Sequence, residues 1–200
     1  MVAGTDSSGD VGAAWQRAHR ACVQAASRLQ EAGITPDALA EYVPERRVLL
    51  VRRKAIMRPL SAAWRMGTLL LTTDGTLYAH GHSTRAAERG RPSFQSESRE
   101  ERRELAAAAL RGGFPVGTPV DFDAVPLLDA AGVPQGALAD LGASVASGAL
   151  GAGHTLPVGL AEGEVRVCWR AGAPLAGAQT LEAFLTERVG LLIDPPFARE

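Results

Sequence analysis

The apolar positions of the chain first keep a helical rhythm and then a strand-like one. Val11, Trp15, Ala18, Cys22, Ala25 and Leu29 recur at spacings of four and three, which sets them on one stripe, with Arg17, Arg20, Gln24, Arg28 and Glu31 opposite. Gly33 supplies a helix stop. Thr35-Pro36-Asp37 carries a start signal for a second short helix reaching about Tyr42, which Pro44 closes. From Arg47 the pattern predicts a strand over 47–57 that ends at Pro59, then strands over 64–73 and 76–83. Asp74-Gly75 between the last two marks a hairpin. A two-residue loop there would pair Thr73 with Thr76, Leu71 with Tyr78, Leu69 with His80 and Gly67 with His82.

Beyond the hairpin, 84–94 reads as a loop. Ser98-Arg99-Glu100-Glu101 has capping-box spacing and opens a helix over 98–111 that Gly112-Gly113 ends, with Glu100 placed to pair with Arg103. Three prolines between 114 and 126 leave room for one short edge strand around Val120-Asp121-Phe122. Residues 126–163 are a low-complexity Ala/Gly-rich segment, readable as a loose helix or a long excursion. Residues 164–170 alternate as a strand with Val165, Val167 and Trp169 on one face, and 180–188 is a helix burying Leu181, Phe184 and Leu185. These elements predict an α+β fold, with a mainly antiparallel sheet of four to six strands and an N-terminal, a central and a C-terminal helix packed on it.

At 200 residues, 46% hydrophobic and 22% charged, the chain suits a frayed terminus over 1–10 and one domain over 11–200. The net charge of −1 excludes a global field that would pull the molecule onto nucleic acid or an acidic membrane, so any such binding is local. Two isolated cysteines, Cys22 and Cys168, indicate no disulfide framework, and the first residues lack a signal-peptide pattern. The expectation is a cytoplasmic protein without a transmembrane segment.

Local charge is less even. Between residues 46 and 65 lie Arg46, Arg47, Arg52, Arg53, Lys54, Arg58 and Arg65 and no acidic residue. Such a run is commonly a solvated edge that discourages aggregation. Its other reading is a binding surface for an anionic ligand or partner, although no aromatic residue is interleaved over 46–58 for base stacking. His80 and His82 form an H-x-H pair, and on a strand both imidazoles would share a side and could begin a metal site. A third ligand would have to come from His154, Cys168, Asp121, Asp123 or Glu164, and nothing in the sequence brings one near. Two-ligand matches are frequent by chance. Gly142-Ala143-Ser144-Val145-Ala146 lacks the second glycine of a nucleophile elbow. Lys54 is the only lysine and no phosphate-loop motif contains it, so no cofactor is indicated.

The stretches WRMGTLLLTTDGTLYAHGHSTRA and ERRELAAAALRGGFPVGTPVDF resemble a small family of uncharacterised proteins from high-GC Gram-positive bacteria, some of which carry a glutaminase label. Glutaminase chemistry would need S-x-x-K or a G-x-C-x-G elbow. The residue three before Lys54 is Val51, and Cys168 sits in Arg166-Val167-Cys168-Trp169-Arg170, so neither is present. Leu69-Leu70-Leu71-Thr72 with Leu77-Tyr78 also resembles a hairpin of PH-like and GRAM-like domains. The residues therefore predict a small non-catalytic binding or accessory protein that contacts an anionic partner through Arg46 to Arg65. The alternative is a hydrolase or metal-dependent enzyme at the His80/His82 strand end. The stripe over 11–29 could also pair with a copy of itself.

Overall fold

The computed structural model describes residues 7–48, 51–90, 97–140, 156–168 and 173–196. In chain order the elements are α1 (Ser7–Glu31), β1 (Asp37–Val43), β2 (Arg46–Val48), β3 (Val51–Arg53), β4 (Ile56–Met66), β5 (Leu69–Thr72), β6 (Leu77–Ala79) and β7 (His82–Arg85). They continue with α2 (Glu97–Arg111), β8 (Pro119–Phe122), β9 (Val125–Leu128), a helical segment α3 at 136–140, β10 (Val158–Ala161), β11 (Glu164–Val167), β12 (Gln179–Thr180) and α4 (Leu181–Ile193). The fold is α+β and mainly antiparallel. Seven strands follow the order β7-β8-β1-β4-β5-β6-β9, β10-β11-β12 form a second sheet, and β2-β3 form a separate ribbon. Among the described residues no helix is long and apolar enough to cross a membrane.

The chain divides into two compact units, one built from 1–35, 65–79 and 126–200, the other from 36–64 and 80–125. In the first, α1 packs on α4, β11 and β5. Of the six stripe positions Trp15, Ala18, Cys22, Ala25 and Leu29 are buried and Val11 is half-buried, and α4 contributes Leu181, Phe184, Leu185 and Val189. Each large apolar side chain in such an interface is worth about 1.5–3 kcal/mol relative to exposure. Helix α1 starts at Ser7, ahead of the apolar stripe, with Asp10 in its first turn where a carboxylate suits the helix dipole. Thr180 caps α4 by accepting a hydrogen bond from the Ala183 N–H. Cys168, directly after β11, is buried, its Sγ donating to the Ala173 carbonyl at 3.3 Å. Trp169 lies outside the described residues. The strand over 164–167 joins β10 and β12 rather than the larger sheet.

The Asp74-Gly75 hairpin is present, one residue out of the expected register. Leu69 pairs with Ala79, Leu70 with Tyr78 and Leu71 with Leu77. The loop is three residues long because Gly75 takes φ +87° and the Thr72 N–H bonds the Thr76 carbonyl, the geometry of a turn followed by a left-handed residue. The Thr72 hydroxyl bonds both the Asp74 carboxylate and the Thr76 carbonyl, which holds that longer loop in place. The strand expected over 64–73 is likewise divided at Gly67, φ +63°, into the end of β4 and β5.

The second unit contains the clearest departure. Residues 37–43 are a strand, not the helix that Thr35-Pro36-Asp37 signals. Strand β1 bonds antiparallel to β4 and parallel to β8, and this two-sided ladder overrides a local helical preference of a few tenths of a kcal/mol per residue. Strand β4 runs through Pro59 instead of ending there. The register shifts between Leu39, opposite Ser61, and Ala40, opposite Pro59, so Leu60 is an extra residue and the proline sits at a bulge where its missing N–H is tolerated. Strand β8 is interior, flanked by β7 and β1, and Pro119 occupies its first position. Ala40, Met57, Ala108, Ala109, Val120 and Phe122 form the core of this unit, with alanines letting α2 approach closely. Glu100 pairs with Arg89, not Arg103, because the loop after β7 brings Arg89 within 2.6 Å of it.

Candidate anion-binding site

The strand expected over 47–57 is in fact a hairpin followed by β4. Arg46 pairs with Arg53, Arg47 with Arg52 and Val48 with Val51, so the ribbon stacks like charges directly across from one another. Partners in register share a face, which puts Arg46 and Arg53 on one side and Arg47 and Arg52 on the other. Arranged this way, the cations repel each other unless something anionic lies between them.

The neighbourhood sorts its cations into two groups. Arg52 donates to the Glu45 carboxylate, Arg58 lies 3.1 Å from Glu41, and Arg111 donates to the Ala55 carbonyl at 2.7 Å and to Glu104 at 2.6 Å. Among the described residues Arg46, Arg47, Arg53 and Lys54 have no carboxylate or other side-chain hydrogen-bond partner, and all four are exposed. Three of them line a cavity of about 470 Å³, Arg46, Arg53 and Lys54 joining Val43, Pro44, Ile56 and Arg111, while Arg47 is on the other face of the ribbon. Its lining combines the apolar Val43, Pro44 and Ile56 with four cationic side chains. Arg65, on the same basic run, lies at the far end of β4 and does not line this cavity.

Arg111 was not among the residues the sequence singled out. It comes from the last turn of α2, far along the chain from the basic run, and is brought in by the packing of α2. Gly112 makes that packing possible, since a Cβ there would stand 1.9 Å from the Met57 carbonyl oxygen. The only sequence mark is a basic residue just before a Gly-Gly stop.

The H-x-H pair is split by a break between strands β6 and β7. Residues 80 and 81 are not strand, and β7 begins at His82. Gly81 is required at the break because a Cβ would meet the carbonyl oxygens of Asp123 at 2.2 Å and Phe122 at 2.6 Å. His80 Nε2 stands 3.2 Å from the Ser83 hydroxyl and 3.3 Å from the buried Asp121 carboxylate. His82 packs on the Phe122 ring, centroids 5.7 Å apart. It borders a second cavity of about 530 Å³ with Tyr42, Glu101, Glu104, Phe122 and Asp123, where burial first and the Glu104 charge second raise the Tyr42 phenol above its ordinary pKa.

Among the described residues no three His, Cys, Asp or Glu side chains are grouped to hold a metal ion. Of the third ligands considered, Asp121 meets His80, Asp123 shares the cavity of His82, Glu164 pairs with Arg17 at 3.0 Å, and Cys168 belongs to the other compact unit. His154 and the Gly142–Ala146 stretch lie outside the described residues. No protein-family model, no curated protein and no solved structure matches the chain.

Proposed function

We propose that this protein is a non-catalytic module that binds a phosphate-bearing or similarly anionic partner through Arg46, Arg53 and Lys54. The observation that carries the reading is the sorting of charges: Arg52, Arg58 and Arg111 are answered by carboxylates, while Arg46, Arg53 and Lys54 line one cavity unanswered. A folded chain that stacks like charges at this spacing gains stability when an anion bridges them. Arg111, pinned by Glu104 and Ala55, gives the cavity a fixed wall and a fourth cationic group.

The enzymatic alternative at His80 is less well served by the geometry. A relay needs one imidazole nitrogen on the hydroxyl and the other on the carboxylate, whereas Nε2 of His80 faces both Ser83 and Asp121. The test is calorimetric titration of the purified chain with short-chain polyphosphate at low salt. Saturable binding is expected, weakening as salt rises and absent in the Arg46→Gln/Arg53→Gln variant. Absence of binding by the unmodified chain at low salt refutes the proposal.

A further inference from the structure

The compact unit built from 1–35, 65–79 and 126–200 holds a cavity of about 610 Å³. Phe184 and Arg188 reach it from one face of α4, being four residues apart on the helix, and Val167 reaches it from the end of β11. A further wall is the turn over 175–178. There the Ala178 N–H bonds the Leu175 carbonyl, and Gly177 takes the left-handed φ of +70° at the third position of the turn. Arg166 holds that turn by donating to the Ala178 carbonyl, and Gln179 pairs with Val167 in the β11–β12 ladder. The wall is therefore in place before any ligand arrives, which spares binding the cost of ordering it.

Among the described lining residues Arg188 is the only charged one, set among the apolar Val167, Pro174, Ala176, Ala178 and Phe184. Its guanidinium lies over the Phe184 ring, Cζ 5.3 Å from the centroid, an attraction that steadies the side chain. Among the described residues it has no carboxylate partner, and its Nε is buried without a hydrogen-bond partner. Glu187, its neighbour in the chain, accepts from the Gln179 amide at 3.1 Å instead. A buried N–H of a cation that lacks an acceptor is destabilising until one is supplied. We infer that this cavity binds a small monocarboxylate with an apolar body, the carboxylate meeting Arg188 and the body lying against Val167, Pro174 and Phe184. One unpaired guanidinium answers one negative charge, and its planar fork fits a carboxylate through two parallel hydrogen bonds. A phosphate monoester would bring a second charge that these apolar walls leave unanswered. The site shares no residue with the ribbon of the proposed function.

The experiment is calorimetric titration of the full chain with octanoate and with 3-phenylpropanoate, each beside its uncharged amide. Four chains are compared: unmodified, Arg188→Gln, Ala176→Phe and Arg46→Gln/Arg53→Gln, with circular dichroism showing that each is folded. Ala176 is exposed on the cavity wall, so a phenylalanine there fills the space without disturbing the core. Expected is saturable binding of at least one acid by the unmodified chain, at least tenfold weaker for the matching amide, in Arg188→Gln and in Ala176→Phe, and unchanged in the ribbon variant. Equal binding of acid and amide, or undiminished binding in Arg188→Gln or in Ala176→Phe, overturns the inference. So does loss of binding in the ribbon variant, which would assign the carboxylate to Arg46 and Arg53. Absence of saturable binding of both acids overturns it and leaves the ribbon reading standing.

Discussion

A site built by stacking like charges should be less stable than its neutralised variant, and this gives a test in which stability and binding move in opposite directions. Arg46 and Arg53 are register partners, so their Cβ atoms stand about 4.5–5.5 Å apart. With the guanidinium groups about 6–7 Å apart in a medium close to water, the repulsion is about 0.6 kcal/mol at low salt and about half that near 0.15 M. The Arg46→Gln/Arg53→Gln variant removes this term from a ribbon bonded only to itself among the described residues. Amide hydrogen exchange over 46–53 should therefore slow about threefold at low salt, with the difference shrinking as salt is added, while polyphosphate binding is lost. Arg58→Gln is the control, because Arg58 is already paired with Glu41 and should leave binding within about twofold. Faster ribbon exchange in the double variant, or anion binding equal to that of the unmodified chain, would refute the argument that the stacking serves a ligand.

The remaining predictions concern the scaffold. Gly112→Ala should cost several kcal/mol, on the order of 2–5, because the new methyl would stand 1.9 Å from a backbone carbonyl that cannot swing aside; a urea-unfolding change under about 1 kcal/mol contradicts this. Asp74 is held below its ordinary pKa, chiefly by the Thr72 hydroxyl. Its stabilising share is therefore complete above the usual carboxylate range and lost as pH falls through the lowered value, so Thr72→Val should flatten the acid limb of the melting-temperature profile relative to the unmodified chain. Burial pushes the Cys22 thiol up to about 12, so it should resist a thiol-specific disulfide reagent at pH 8 in the folded protein and react fully in denaturant.

The parts of this molecule legible in its sequence are those in which one face of one element is buried. Helix α1 announces itself because its stripe is buried where α1 packs on α4 and β11, and α4 does so through Leu181, Phe184 and Leu185. Strand β1 is hidden because what makes it a strand is supplied by β4 and β8, and no local feature of 37–43 reports those partners. The hairpin at 69–79 shows a finer limit: Asp74-Gly75 marks a turn correctly, but whether the loop has two residues or three depends on Gly75 taking a left-handed conformation and on the Thr72 hydroxyl. One residue of difference moves His80 out of the ribbon altogether.

The candidate site divides along the same line. Seven cations without an acidic neighbour between 46 and 65 can be counted directly, and the count locates the surface. It cannot separate a continuous strand from two short ones, because Val48-Leu49-Leu50-Val51 carries no glycine, asparagine or proline to mark a turn, and apolar residues in strands and at hairpin ends look alike in a period-two pattern. Nor can it tell which cations are spent. Glu45 lies near Arg52 in the chain, but Glu41 reaches Arg58 through the β1–β4 ladder, and Glu104 fixes Arg111 along α2. With Arg52 and Arg58 paired and Arg65 engaged at the far end of β4, Arg46, Arg47, Arg53 and Lys54 remain, and which cations remain is set by strand register and not by composition.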